Sequence, residues 1–280
     1  MAAAMEAADF FLLTDGARPD DDALIRSGMA SALADDLPGV TVVEIACGEG
    51  REVGQLVLRI AARRPTGVVI APPLADFSHL GHLLRQGGCR YVTLSPDARE
   101  GPARLLCTND RQGMCDAANY LIALGHRRIG FIAGPDGASW SRERELGWLD
   151  ALSEHDLDLG AEIVAQGDGT IAGGQEAGRL LLAVSPRPTA VLAATDAMAA
   201  GVMQVASLLG LDVPGSLSVM GFGDSAIASA LAPPLTTMRL PLVKAGFNAA
   251  IKLLDPARAA SRPVELLCEL VVRHSTGPTG

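Results

Sequence analysis

The feature that most restricts the fold is an alternation: a short apolar run, a polar turn and a longer amphipathic run, again and again. Phe10–Leu13 (FFLL) reads as a strand, followed by the polar loop TDGARPDD. Asp22–Leu33 carries apolar residues at helical spacing, Val40–Ala46 is a strand and Arg51–Ala62 a helix. Gly67–Ala71 (GVVIA) is a strand stopped by Pro72-Pro73, Leu80–Gln86 is helical and Tyr91–Leu94 is another strand. Short apolar runs without a polar face are what strands covered on both sides look like. The βαβαβαβ order predicts a parallel sheet with helices on both faces, because each crossover helix returns the chain to the same sheet end.

The pattern then restarts. Asp110–Leu124 reads as a helix closed by Gly125, a favoured residue just past a helix end. Arg128–Ala133 (RIGFIA) is a strand, Arg142–His155 a helix, Glu162–Gln166 a short strand and Ile171–Ala183 a helix. Ala190–Ala194 (AVLAA) is a strand, Ala197–Leu209 a helix closed by Gly210, and Leu217–Gly221 (LSVMG) a strand. Two doubly wound α/β units account for the 280 residues. No Pro-, Gly- or Ser-rich linker parts them, so the units are expected to share several chain crossings. The only low-complexity stretch is the Ala-rich start.

Composition narrows the function. A net charge of −9 argues against a surface that grips nucleic-acid phosphates, which needs clustered Lys and Arg. Cys47, Cys89, Cys107, Cys115 and Cys268 are dispersed without CxxC spacing and read as reduced, mostly buried thiols of a cytoplasmic protein. MAAAMEAADFF lacks the basic and apolar regions of a secretory signal. No run approaches the roughly 20 apolar residues of a membrane helix, so no membrane is expected as a partner.

Several stretches suggest chemistry and are outweighed by plainer readings. VTVVEIACGEG (Val40–Gly50) resembles the first motif of S-adenosylmethionine-dependent methyltransferases, with Gly48, Gly50 and Gly54 positioned to let a nucleoside approach. The acid that should end the next strand is missing, since GVVIA runs into two prolines and Asp76 comes too late. A strand, turn and helix is the simpler reading. His79 and His82 stand three apart on a helix without a third ligand nearby. Ser139 and Ser141 lie outside any G-x-S-x-G elbow. No catalytic residue, metal or cofactor is therefore expected, and the chain does not read as an enzyme.

The second half holds the most specific signal. YLIALGHRRIGFIAGP (Tyr120–Pro135) is followed by SRERELGWLDAL (Ser141–Leu152) and PTAVLAATDAMAAGV (Pro188–Val202). LGLDVPGSLSVMGFGDS (Leu209–Ser225), LAPPLTTMRLP (Leu231–Pro241) and LVVRHST (Leu270–Thr276) come next. Taken in order, these strings resemble the effector-binding core of LacI/GalR-type transcriptional regulators, over about Phe10 to Thr276 and least before Ala103. The resemblance implies a periplasmic-binding-protein-like fold of two subdomains flanking a ligand cleft. It places the first at 9–107 plus 240–262 and the second at 108–239 plus 263–276. It also implies a homodimer, with the helical face Ala200–Leu209 as a candidate contact or, alternatively, as intramolecular core.

Carried over residue by residue, the resemblance makes Arg144 a ligand-contacting arginine, whose fork suits a carboxylate or paired hydroxyls. The alternative is a surface salt bridge with Glu143 or Glu145. Asp196 matches a family aspartate, with Thr195 where Asn is common; an N-cap role for Asp196 is equally open. Asp224 matches the second acid of a typical G-F-D-D, while Gly223 stands in place of the first. Asp15 and Arg18 could face the cleft from the first loop or be solvated. Ser95 falls where an acid is frequent. Trp140 offers a stacking face or a packed ring. With several sugar anchors replaced, the expected effector is a sugar or related metabolite other than a simple hexose. Operator DNA would be read by an N-terminal helix-turn-helix not seen in this chain. A transport solute-binding protein shares the fold and would need an export signal; a methyltransferase is the remaining alternative.

Overall fold

The computed structural model describes residues 10–34, 42–46, 51–95, 105–157, 160, 163–255 and 264–279. The chain begins with β1 (Phe10–Thr14), α1 (Pro19–Ala34), β2 (Val42–Ala46), α2 (Arg51–Ala62) and β3 (Gly67–Ile70). A 3-10 turn (Leu74–Asp76) leads to α3 (Ser78–Gln86), β4 (Tyr91–Leu94) and β5 (Leu105–Thr108). Next come α4 (Asp110–Ala123), β6 (Ile129–Ala133), α5 (Ser139–Glu154), β7 (Val164–Gln166), α6 (Ile171–Ala183) and β8 (Ala190–Ala193). They are followed by α7 (Asp196–Leu208), β9 (Ser218–Gly223), α8 (Ala226–Ala230) and β10 (Thr236–Arg239). The last elements are α9 (Leu242–Leu254), β11 (Val264–Leu266) and β12 (Glu269–Val271).

These elements form two compact units, residues 1–108 with 241–266 and residues 109–240 with 267–280. The first sheet has the order β11-β5-β4-β3-β1-β2 with every pairing parallel. The second has the order β12-β10-β9-β8-β6-β7, parallel except for the antiparallel β10–β12 edge. Val264–Leu266 pairs with β5, so the last crossing falls after Leu266 and not after 262 as expected from sequence. β2 is an edge strand. Nucleoside sites of doubly wound sheets sit where the strand order reverses, here between β1 and β3. That removes the positional argument for a cofactor after β2; Cys47–Gly50 themselves lie outside the described residues.

β1 shows why the sequence folds this way. All five residues are buried. Phe11 and Leu13 pack with Val57, Ile60, Leu80 and Leu84 on the side of α2 and α3. Phe10 and Leu12 pack with Ile25, Met29, Ala249 and Leu253 on the side of α1 and α9. Strand side chains alternate faces, so an unbroken apolar run is what a sheet covered on both sides requires. Each such side chain contributes roughly 1.5–3 kcal/mol on burial. α1 and α9 lie unusually close: a Cβ on Gly28 would collide with the Val243 carbonyl oxygen, and one on Gly246 with that of Ile25.

At the amino ends of the second sheet His126 is a buried hub. Its Nδ1 meets the Thr189 hydroxyl at 2.9 Å, and its Nε2 lies 3.0 Å from both the Ser218 hydroxyl and the Gly277 carbonyl. Burial holds the imidazole pKa below 6.5, partly opposed by Gly277. Between that lowered value and 6.5 the unfolded chain binds more protons, so stability rises with pH there and is lost as pH falls through it. Urea unfolding from pH 5 to 7 is expected to show this slope, reduced in His126→Gln. Equal slopes in both proteins would remove His126 as its source.

Candidate functional site

The carboxyl ends of the second sheet gather most of the expected site residues. On α5, Trp140, Arg144, Gly147, Trp148 and Ala151 recur at helical spacing and form the buried face. Arg144 is 2% exposed. Its Nε and Nη2 donate to Asp110 Oδ2 at 2.8 and 2.7 Å, and Nη1 donates to the Ala194 carbonyl at 2.7 Å. The guanidinium lies 4.1 Å from the Phe222 ring centre and 4.8 Å from that of Trp140. Arg144 therefore makes no surface pair with Glu143 or Glu145: it is clamped inside the unit by the first residue of α4. Trp140 is buried too, its ring against Gly134, which has no room for a Cβ beside it.

Asp196 and Thr195 divide the roles expected of Asp196 alone. Thr195 caps α7, its hydroxyl accepting from Met198 N at 3.2 Å. Asp196 is the first helical residue, 1% exposed. It accepts from Ser225 N (2.7 Å), Ser225 Oγ (2.9 Å) and Thr237 Oγ1 (2.5 Å), pinning the loop after β9 to β10. Burial raises its pKa; the bonds from Thr237 and Ser225 pull it down and the Asp224 charge adds to the rise. Asp224, in the left-handed region at φ 55°, accepts from Arg239 Nε at 2.7 Å and Arg273 Nη2 at 2.5 Å. Both its oxygens are engaged within the unit. Gly223, at φ 135°, lies against the Asp196 carboxylate: a Cβ there would come within 3.3 Å of Asp196 Oδ2.

In the first unit, Asp15 follows β1 and folds onto its own loop, accepting from Ala17 N at 3.0 Å. Arg18 donates to the Pro72 carbonyl at 3.0 Å and lies 3.7 Å from Asp21. Ser95 is buried just past β4. The structure thus places Trp140, Arg144, Thr195, Asp196 and Asp224 at one sheet end of the second unit, and Asp15 and Ser95 at the corresponding end of the first. Sequence reasoning missed Asp110, Ser225, Thr237, Arg239 and Arg273, the partners that fix them. Asp110 was visible as an acid in the first turn of a helix; the others carried no local signal. It also missed Asp22, a carboxylate only 3% exposed. His79 and His82 are exposed, and among the described residues no group of three His, Cys, Asp or Glu could hold a metal. No described helix is long and apolar enough to cross a membrane.

Comparison with known proteins adds to this geometry. Residues 118–276 match the family described as a periplasmic binding protein-like domain. The chain is 37% identical over 166 residues to the HTH-type transcriptional repressor CytR of Escherichia coli (strain K12), covering 58% of this chain and 48% of that protein. It thus spans about half the length of that relative. It is 32% identical over 267 residues to the HTH-type transcriptional regulator MalR of Streptomyces coelicolor, covering 91% of this chain and 74% of MalR. Among solved structures it is similar to a transcriptional regulator CelR–cellobiose complex, with TM-score 0.85, 28% identity and coverage of 96% and 84% of the two chains. It is also similar to a LacI family transcriptional regulator from Mycobacterium smegmatis, with TM-score 0.82, 26% identity and coverage of 97% and 99%.

Proposed function

Because the chain belongs to the LacI/GalR family of transcriptional regulators and carries that family's periplasmic-binding-protein-like effector domain, we propose that it senses a small polar metabolite, a sugar or sugar-like compound, through the loops at the carboxyl ends of its strands. The relatives named above are regulators, not enzymes, and the methyltransferase and transport readings give way to this one. The observation that carries the proposal is the alignment to MalR along 91% of this chain. The CelR structure, bound to cellobiose, supports a carbohydrate-like ligand here.

Arg144, Asp196 and Asp224 then act as the frame that holds the loops, and Thr195, Asp15, Ser95 and the Trp140 edge meet the effector. Effector binding alters operator affinity by favouring one of two arrangements of the protein. The whole regulator reads DNA through a helix-turn-helix as a homodimer. α7 supplies core through Ala200, Val202, Val205 and Ala206, and leaves Leu208 and Leu209 exposed as candidates for the subunit contact. The test is a thermal-shift panel of cellobiose, D-ribose, D-glucosamine, cytidine and S-adenosylmethionine. A ligand at 100 times its Kd adds about 2.7 kcal/mol to stability. A sugar or nucleoside shift that shrinks in Asp15→Asn, whose loop turn is kept, is the expected result. A shift with S-adenosylmethionine alone would sink the proposal.

A further inference from the structure

The first unit carries a second group of charges, at the end of its sheet opposite the effector loops. Between Val53 and Ser95 the sequence holds Arg59, Arg63, Arg64, Arg85 and Arg90 against a single acid, Asp76. Asp76 follows the carboxyl end of β3, whereas the five arginines lie in or after the last turns of α2 and α3, toward the amino ends of β3 and β4. The net charge of −9 belongs to the molecule as a whole, and this edge is locally cationic. Arg59 and Arg85 sit within the last turns, where a cation complements the helix end. Arg63, Arg64 and Arg90 lie past the helices, are exposed, and pair with no carboxylate among the described residues. Arg90 spends one of its five donors on the Leu253 carbonyl, at 3.3 Å. Arg64 holds φ 52°, the left-handed position just past α2 that glycine takes at lower cost. An arginine there works against folding, so the fold itself does not call for it. The loops 64–66 and 86–90 border an open groove of about 580 Å³, with Arg64, Thr66, Gln86 and Arg90 in its lining. Phe10 lies opposite Gly67 and Val68 opposite Tyr91, so the amino ends of β1, β3 and β4 are level. The chain therefore enters the sheet at Phe10 beside this groove.

We propose that this groove holds the phosphate backbone of duplex DNA, with Arg64 and Arg90 as the phosphate-binding residues and Arg63 beside them. This rests on the reading that the chain is the core of a regulator whose DNA-reading head precedes β1. A head joined at Phe10 brings DNA to the amino-end side of the sheet, the side on which the groove opens. A guanidinium offers a phosphate two parallel N–H donors. The Thr66 hydroxyl and the Gln86 amide are further side chains of the kind that meet phosphate oxygens. A groove that is open and rimmed by long exposed side chains suits a continuous backbone more than a small ligand, which is held in a pocket that buries most of it. Such contacts add affinity and fix orientation, and they carry no base sequence. They lie at the other end of the sheet from the effector loops, so duplex binding here needs no effector.

Fluorescence anisotropy of a short duplex of arbitrary sequence, titrated with this chain between about 20 and 200 mM NaCl, tests this. Each phosphate contact contributes about −0.9 to the slope of log affinity against log salt, so three arginines predict a slope of about −2 to −3. Arg64→Gly combined with Arg90→Gln should bring the slope to about −1 and weaken binding about tenfold or more at the lowest salt. Arg64→Gly alone should weaken binding while the melting point stays level or rises, because glycine favours the left-handed position. An arginine with a merely structural role would instead lower the melting point and leave duplex affinity unchanged. Arg179→Gln, which removes an exposed charge from the second unit, should change neither. No duplex binding at the lowest salt, or equal weakening by Arg179→Gln and Arg64→Gly, overturns the inference. So does binding of inorganic pyrophosphate without binding of duplex, which would make the groove a small-anion site. Each of these failures leaves the effector reading standing. That reading fails separately, if only S-adenosylmethionine shifts the melting point.

Discussion

Arg144→Ala is expected to destabilise the second unit by about 3–5 kcal/mol, the cost of breaking a buried ion pair by removing one member. The charge left behind is Asp110, whose side chain is 1% exposed against 3% for Arg144. The substitution also orphans the Ala194 carbonyl and removes the cation from between Trp140 and Phe222. Arg144→Met combined with Asp110→Leu removes both charges and should recover most of the loss, since apolar replacement of a whole buried pair is often neutral. Urea unfolding of the single and double variants measures this. A loss under 1 kcal/mol for Arg144→Ala would mean that the guanidinium is free for the effector in solution. The result matters for function, because loss of effector binding in Arg144→Ala alone does not separate a ligand contact from a collapsed frame.

The fold was legible because its signals are local. FFLL, GVVIA and AVLAA announce strands covered on both sides, and Gly125 and Gly210, both at positive φ, mark the ends of α4 and α7. The helix expected from Asp22 begins at Pro19, a residue suited to a first turn. The site was half legible. Type and position gave Arg144, Asp196 and Asp224, but not what they do. The partners of Asp224, for instance, lie 15 and 49 residues along the chain. Nothing local says whether a polar side chain is satisfied from afar, and that decides between a frame and a ligand contact. Asp22 shows the converse. In the sequence it is only the first residue of the helix expected over Asp22–Leu33, and burial is what sets it apart from Asp20.

The same dependence on distant partners makes Gly246 and Gly28 poor sites for alanine. In a free helix Gly→Ala gains about 1 kcal/mol. Here the added methyl at Gly246 meets the Ile25 carbonyl and the Met29 amide, and at Gly28 the Val243 carbonyl and the Phe247 amide. These are backbone atoms of a helix, which cannot swing aside as a side chain end can. The helices must separate, and separation loosens Ile25, Met29, Ala245, Ala249 and Leu253 in the core beneath them. Gly246→Ala is therefore expected to lose about 1–3 kcal/mol net, in the range of overpacking. Gly28→Ala should cost about as much. The double variant should cost clearly less than the sum, because helices already pushed apart by one methyl make room for the second. Melting curves and urea titrations of the three variants form the cycle. Strict additivity, or a stabilised single variant, would show that α1 and α9 are not held at backbone contact.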